Sequence, residues 1–192
     1  MWSTYLVATF RHTSSLTGIV KLSSQLSSAM TKSTENPIGS TLQQTMLRIK
    51  DPKLSVPFYC DHFGFKLLHK YDFPQWKFSL YFLGILKEGQ DWPKIEDTKA
   101  TEKALWTMPH GMSCLELTHN WGSENDEDFV VNNGNVEPNR GFGHVAVMTT
   151  DVYAASEELL AKGVNFQKKP DEGRMKGLAF AKDPDGYWIE IV

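Results

Sequence analysis

Gln44-Thr-Met-Leu-Arg-Ile-Lys-Asp51 and His144-Val-Ala-Val-Met-Thr-Thr-Asp151 decide the fold, because one pattern is written twice. Each stretch opens on a polar residue, crosses a short apolar-rich strand and reaches Asp seven positions later, and the two copies lie 100 positions apart. A repeat at this scale sets the architecture before any single motif does. After each Asp the chain reads as helix, over 52–62 and 152–162, with Asp51 and Asp151 suited to N-caps and Pro52 to the first turn. Gly64 and Gly163 stop these helices, and new strands begin at Phe65 and Val164. A further strand is predicted at 77–83, where Phe78, Leu80 and Phe82 alternate with Lys77, Ser79 and Tyr81, and another at 112–118. Their counterparts are 177–182 and 187–192, separated by the turn Asp183-Pro-Asp-Gly186. The chain is therefore read as α+β, with paired βαβββ modules at about 41–120 and 141–192. Gln44 and Glu116 are 72 positions apart and His144 and Glu190 only 46, so the first module carries about 26 extra residues. They are expected as a loop over 87–111, and the acidic stretch 121–140 as a solvated linker.

Composition narrows the partners. The 192 residues are 41% hydrophobic and 22% charged, ordinary for a folded protein, and a net charge of −3 gives no basic surplus for nucleic acid or an acidic membrane. No apolar run approaches the roughly 20 residues that span a bilayer. Cys60 and Cys114 allow at most one bridge, so disulfides do not hold this chain together and a reducing compartment fits. Residues 1–40 read differently: Arg11, Lys21 and Lys32 precede the first acid, Glu35, among many Ser and Thr. That composition suits a mitochondrial presequence or a disordered tail, and Met30 offers an alternative start that leaves a cytosolic product. Fold reasoning starts at residue 41.

The repeat also places chemistry. Gln44 and His144 open equivalent strands, and Glu116 and Glu190 sit at equivalent places between Leu115 and Leu117 and between Ile189 and Ile191. Alternation puts both carboxylates on the face opposite those apolar neighbours. An unpaired carboxylate in a buried sheet costs several kcal/mol, and a divalent cation is one of few partners able to offset that. One imidazole, one amide and two carboxylates suit Zn²⁺ or a similar ion, and the lack of thiolates points to a catalytic site. Arg48 shares the strand face of Gln44, and Arg140, Lys168, Lys169, Arg174 and Lys176 form a basic group able to take an anionic ligand. Tyr59, His62, His69, His110 and His119 read as packing or surface, and neither Cys has a basic neighbour that would make it a nucleophile. No phosphate-binding glycine loop or Gly-x-Ser-x-Gly elbow is present.

Several segments resemble eukaryotic glyoxalase I. They are 43–52, Asp72-Phe-Pro74 with 77–83, Leu115-Glu-Leu-Thr-His-Asn-Trp-Gly122, Arg140-Gly-Phe-Gly-His144, and 168–170 through Asp183-Pro-Asp-Gly-Tyr-Trp-Ile-Glu-Ile191. The resemblance implies the vicinal oxygen chelate fold and a homodimer with shared sites, Gln44 and Glu116 from one subunit meeting His144 and Glu190 from the other. It implies one zinc per site and glutathione as co-substrate. The reaction implied is isomerisation of the glutathione–methylglyoxal hemithioacetal to S-lactoylglutathione through an enediolate, with Glu190 as base and Glu116 serving the opposite enantiomer. Arg48, Asn120, Arg140, Lys168, Arg174 and Met175 are implied as glutathione contacts, and Phe73, Leu80 and Phe82 as the pocket for the aldehyde-derived part. Against the family pattern the chain ends just past the catalytic strand, without a segment that helps close the pocket, and Arg174 stands where Lys is common. The rival readings are another chelate-fold metalloenzyme, an epimerase or an extradiol dioxygenase, and a metal-free small-molecule-binding protein. A dioxygenase needs two His where this set offers one.

Overall fold

β1 (Gln44–Ile49) forms where the sequence alternates: Leu47 and Ile49 turn inward and are buried, while Met46 and Arg48 stay exposed. Asp51 then accepts the backbone N–H of Lys53 at 2.8 Å and starts α1 (Pro52–Phe63), with Pro52 at a position whose N–H needs no partner. The helix stops at Gly64, whose φ of 70° is open to glycine and strained for other residues. β2 (Lys66–Phe73) and β3 (Phe78–Gly84) follow as a hairpin, and β4 (Cys114–Asn120) completes a sheet of order β1-β4-β3-β2. β1 runs parallel to β4, and the other pairs are antiparallel.

The second half repeats this plan. β5 (His144–Val147) leads into α3 (Val152–Ala161), capped by Asp151 on the N–H groups of Tyr153 and Ala154. β6 (Phe166–Lys168), β7 (Ala179–Lys182) and β8 (Trp188–Ile191) then give the order β5-β8-β7-β6, again with the first and last strands of the module parallel. The expected pair of βαβββ modules is the observed fold. The computed structural model describes residues 39–109 and 111–192. The readings made of residues 1–38 and of His110 lie outside the described residues. No helix among them is long and apolar enough to cross a membrane.

One expectation fails. Residues 87–111 are not all loop, because α2 (Thr98–Trp106) lies inside them. Asp97 caps it through the N–H of Ala100, and Thr101 and Leu105, one turn apart, are both fully buried. Its single apolar stripe is too short to stand out from the surrounding Pro, Gly and charge, and packing on the first sheet makes the helix.

Leu47, Leu83, Leu115 and Leu117 of the first sheet share one core with Ala179, Ala181, Ile189 and Ile191 of the second, joined by Tyr59 of α1 and Leu159 of α3. A polar seam crosses the same boundary at the β7–β8 turn. Asp183, 5% exposed, accepts the Tyr59 hydroxyl at 2.8 Å and the backbone N–H groups of Asp185 and Tyr187. Asp185 accepts the Ser55 hydroxyl and the Lys50 N–H, each at 2.9 Å. The Asp183 carboxyl is pushed up to about 7, chiefly by burial, with the charge of Asp185 adding to the rise against the lowering pull of its hydrogen bonds.

The folded protein thus holds the Asp183 proton more tightly than the unfolded chain does. That stabilisation is complete below about pH 4 and is lost as pH rises towards 7. Asp183→Asn keeps the Oδ1 acceptor and cannot ionise. Between about pH 5 and 8 its thermal midpoint should gain roughly 5 °C on the parent. Parallel pH curves for the two proteins would show that Asp183 does not titrate in this range.

Candidate active site

In the first module the polar pair lies on the face away from the shared core. Glu116 stands on β4 opposite Met46 of β1 and Phe82 of β3, and its carboxylate accepts the side-chain amide N–H of Gln44 at a short distance. The Thr118 hydroxyl donates to the other oxygen at 3.3 Å. Glu116 is only 7% exposed, and burial raises its pKa against the lowering effect of the hydrogen bonds from Thr118 and Gln44. The Gln44 carbonyl oxygen is buried and has no hydrogen-bond partner. An unpartnered amide oxygen beside a desolvated carboxylate supplies two donors of the kind a hard cation takes.

The second module matches it position by position. Glu190 lies on β8 opposite Ala146 of β5 and Phe180 of β7, the counterparts of Met46 and Phe82, and its carboxylate is 3.1 Å from His144 Nε2. Phe180 packs edge-on against the His144 ring at 5.3 Å and limits its orientations. The chain brings Gln44 to Glu116 and His144 to Glu190 as two half-sites. Among the described residues, no three His, Cys, Asp or Glu side chains are grouped so as to hold one ion. The four donors fit a divalent metal in kind: neutral imidazole, amide oxygen and two carboxylates, none needing a thiolate.

The other expected site residues divide by module. Arg48 is exposed on β1 opposite Thr118, and Asn120 is exposed at the end of β4 opposite Phe78. Arg140 pairs with Glu137 at 2.7 Å near the surface. Lys168 donates to the carbonyls of Leu178 and Lys169, while Arg174 and Met175 are exposed in the turn that follows. Phe73, Leu80 and Phe82 line the face that carries Glu116, Phe82 fully buried and Phe73 stacked on Phe78 at 4.6 Å.

α2 walls this face. Trp106 packs against Phe82 and donates its indole N–H to Tyr71 Oη, which donates to Glu102, and His69 Nδ1 meets the Thr101 hydroxyl at 2.7 Å. From the sequence His69 and the Trp residues read as packing or surface and Tyr71, Thr101 and Glu102 carry no signal, because the helix that assembles them has none of its own. A cavity of about 900 Å³ lies between the modules at β1 and β5, lined by Thr45, Leu115, Val145 and Val147, with Met112 and Phe142 at its rim, and His144 reaches it. Cys114 also borders it; burial first and the charge of Glu116 second push this thiol up to about 11, in keeping with the expectation that it is not a nucleophile.

With paired modules, a buried acid in each and a matching amide or imidazole beside it, the chain belongs to the Glyoxalase/Bleomycin resistance protein/Dioxygenase superfamily, whose sequence profile matches residues 41–191. Within that superfamily its relatives include lactoylglutathione lyases. It is 48% identical over 148 residues to lactoylglutathione lyase of Pseudomonas putida, covering 77% of this chain and 82% of that enzyme. It is 50% identical over 151 residues to glyoxalase I of Saccharomyces cerevisiae, covering 79% of this chain and spanning less than half, 44%, of the yeast protein. The crystal structure of glyoxalase I from Zea mays superposes with a TM-score of 0.55 at 29% identity, covering 79% of this chain and 43% of the maize chain.

Proposed function

We propose that this protein is a metal-dependent lactoylglutathione lyase that isomerises the hemithioacetal of methylglyoxal and glutathione to S-lactoylglutathione. The observation that carries the reading is the pair of matched half-sites, Gln44 with Glu116 and His144 with Glu190, in a chain so similar to lactoylglutathione lyases. These four residues would hold one Zn²⁺ per site. When bound, the ion supplies Lewis-acid stabilisation of the negative charge that develops on the two substrate oxygens.

The protein's own part is proton transfer. Glu190 lifts the proton from the carbon bearing sulfur and returns it to the neighbouring carbonyl carbon, while the hydroxyl proton passes to the adjacent oxygen, so the sum is an isomerisation. Glu116 does the same for the opposite enantiomer. Arg48, Asn120, Arg140, Lys168, Arg174 and Met175 bind the glutathione part, the cations facing its carboxylates. Phe73, Leu80 and Phe82 receive the methyl end.

Two half-sites in one chain call for two chains in one enzyme. β1 and β5 are each the outermost strand of a sheet, and each carries the first residue of its pair. Joining β1 of one subunit to β5 of another sets Gln44 and Glu116 against His144 and Glu190 of the second copy, giving a homodimer with two shared sites. The length of the yeast relative supports this, since the matched domain fills 44% of it and a second such domain would fit. The composition of residues 1–40 supports a cytoplasmic or mitochondrial location.

The test is direct. Zinc-loaded protein mixed with methylglyoxal and glutathione should produce the thioester far above the uncatalysed rate, and a chelator should abolish this. No thioester from metal-replete protein would end the reading.

A further inference from the structure

The β7–β8 turn reaches into the first module with three side chains at alternate positions. Asp183 takes the Tyr59 hydroxyl, Asp185 takes the Ser55 hydroxyl and the Lys50 N–H, and Tyr187 packs into the core shared with the first module. These contacts fix the entry to β8, three residues before Glu190, against the end of β1 and the face of α1. The repeat shows that they are more than inherited packing. One hundred positions on from Tyr59 and Ser55 stand Leu159 and Ala155, which carry no hydroxyl. Leu159 is buried in the shared core as Tyr59 is, so an aliphatic side chain suffices for packing there and the Tyr59 hydroxyl is an addition aimed at Asp183. In the first module the matching connection between β3 and β4 is the long segment containing α2, with no tight Asp-Pro-Asp-Gly turn. The clamp exists once, on the strand that carries the proposed base.

We propose that Asp183, held by Tyr59, is a positioning residue for Glu190: by pinning the start of β8 to α1 of the same chain it fixes how the His144–Glu190 half-site is presented to the Gln44–Glu116 half-site of the second copy. This rests on the lyase reading for its kinetic consequence, though not for its structural one. Glu190 must meet a carbon-bound proton, and a displacement of the order of 1 Å at a reacting centre costs up to about 100-fold in rate. None of the side chains proposed to bind glutathione belongs to the β7–β8 turn, so the effect falls on kcat.

The experiment compares Tyr59→Phe, Asp183→Ala, Asp183→Asn and the core control Leu159→Ala in the zinc-loaded enzyme. Tyr59→Phe and Asp183→Ala should lower kcat about 10- to 100-fold with KM little changed, and the double variant should be no slower than Asp183→Ala alone. Asp183→Asn keeps Oδ1 for the turn's N–H groups and puts an amide N–H in place of Oδ2, which can donate to the Tyr59 oxygen with the bond reversed, so it should stay within about threefold of the parent. Leu159→Ala should lower the thermal midpoint while leaving kcat of the folded enzyme intact. If Asp183→Ala does not fold, Tyr59→Phe decides alone. Amide hydrogen exchange gives a readout that needs no turnover: in Tyr59→Phe the β8 amides should exchange at least about tenfold faster while those of β4 keep their rates. Exchange that rises evenly in both sheets, or a folded Tyr59→Phe with parental kcat, overturns the proposal. An inactive parent enzyme would instead overturn the lyase reading, and the exchange pattern would still decide this one.

Discussion

Glu190→Gln should cut turnover by about 10²- to 10⁴-fold while leaving the fold intact, the range by which a positioned general base accelerates proton transfer. The two side chains have the same size, and the amide retains an oxygen for the neighbour now 3.1 Å away, His144 Nε2. What it lacks is a lone pair basic enough to take a proton from carbon. Steady-state kinetics of thioester formation, circular dichroism and binding of an S-substituted glutathione should therefore separate: kcat collapses, the spectrum is unchanged and the ligand still binds. A Glu190→Gln enzyme with parental kcat would remove Glu190 from the chemistry and leave Glu116 as the acid to examine.

Leu117→Ala should cost about 2–5 kcal/mol, a large share of the 5–15 kcal/mol by which domains are usually stable. Leu117 is fully buried on β4 between Leu47 of β1 and Tyr81 of β3, and it belongs to the core that both modules share. Because that core is common property, the loss should fall on the whole of residues 42–192. Tryptophan emission, from Trp76, Trp92, Trp106 and Trp121 in one half and Trp188 in the other, and far-ultraviolet circular dichroism should trace a single urea transition moved to lower concentration. Two separated transitions would mean that the modules unfold independently and that the shared core contributes little.

The order of elements was legible because the chain states it twice. Asp51 and Asp151 before helices, glycine after the first, and acids flanked by Leu or Ile on the last strands each have a local physical cause, and the copies reinforce one another. α2 was not legible, since it is short, mostly polar and made helical by Thr101 and Leu105 packing on the first sheet, a cause absent from its own sequence. The candidate site was legible as four donors for the same reason as the fold, and the structure pairs them two by two. The clamp was hidden in plain residues. Tyr59 read as packing and Asp183 as a turn former, and both descriptions are true; what neither disclosed is that the two side chains, 124 positions apart, share a proton donor and acceptor.

The Lys50 N–H, at the tip of an edge strand, is capped by a carboxylate 135 positions further along the chain. A ribosome must translate as far as residue 185 before that guard exists. Until then the nascent first module displays the end of its β1 edge with that N–H unguarded, the kind of surface on which unfinished chains stick together. Truncated products ending before Asp183 are thus the forms most exposed to aggregation and most in need of a chaperone.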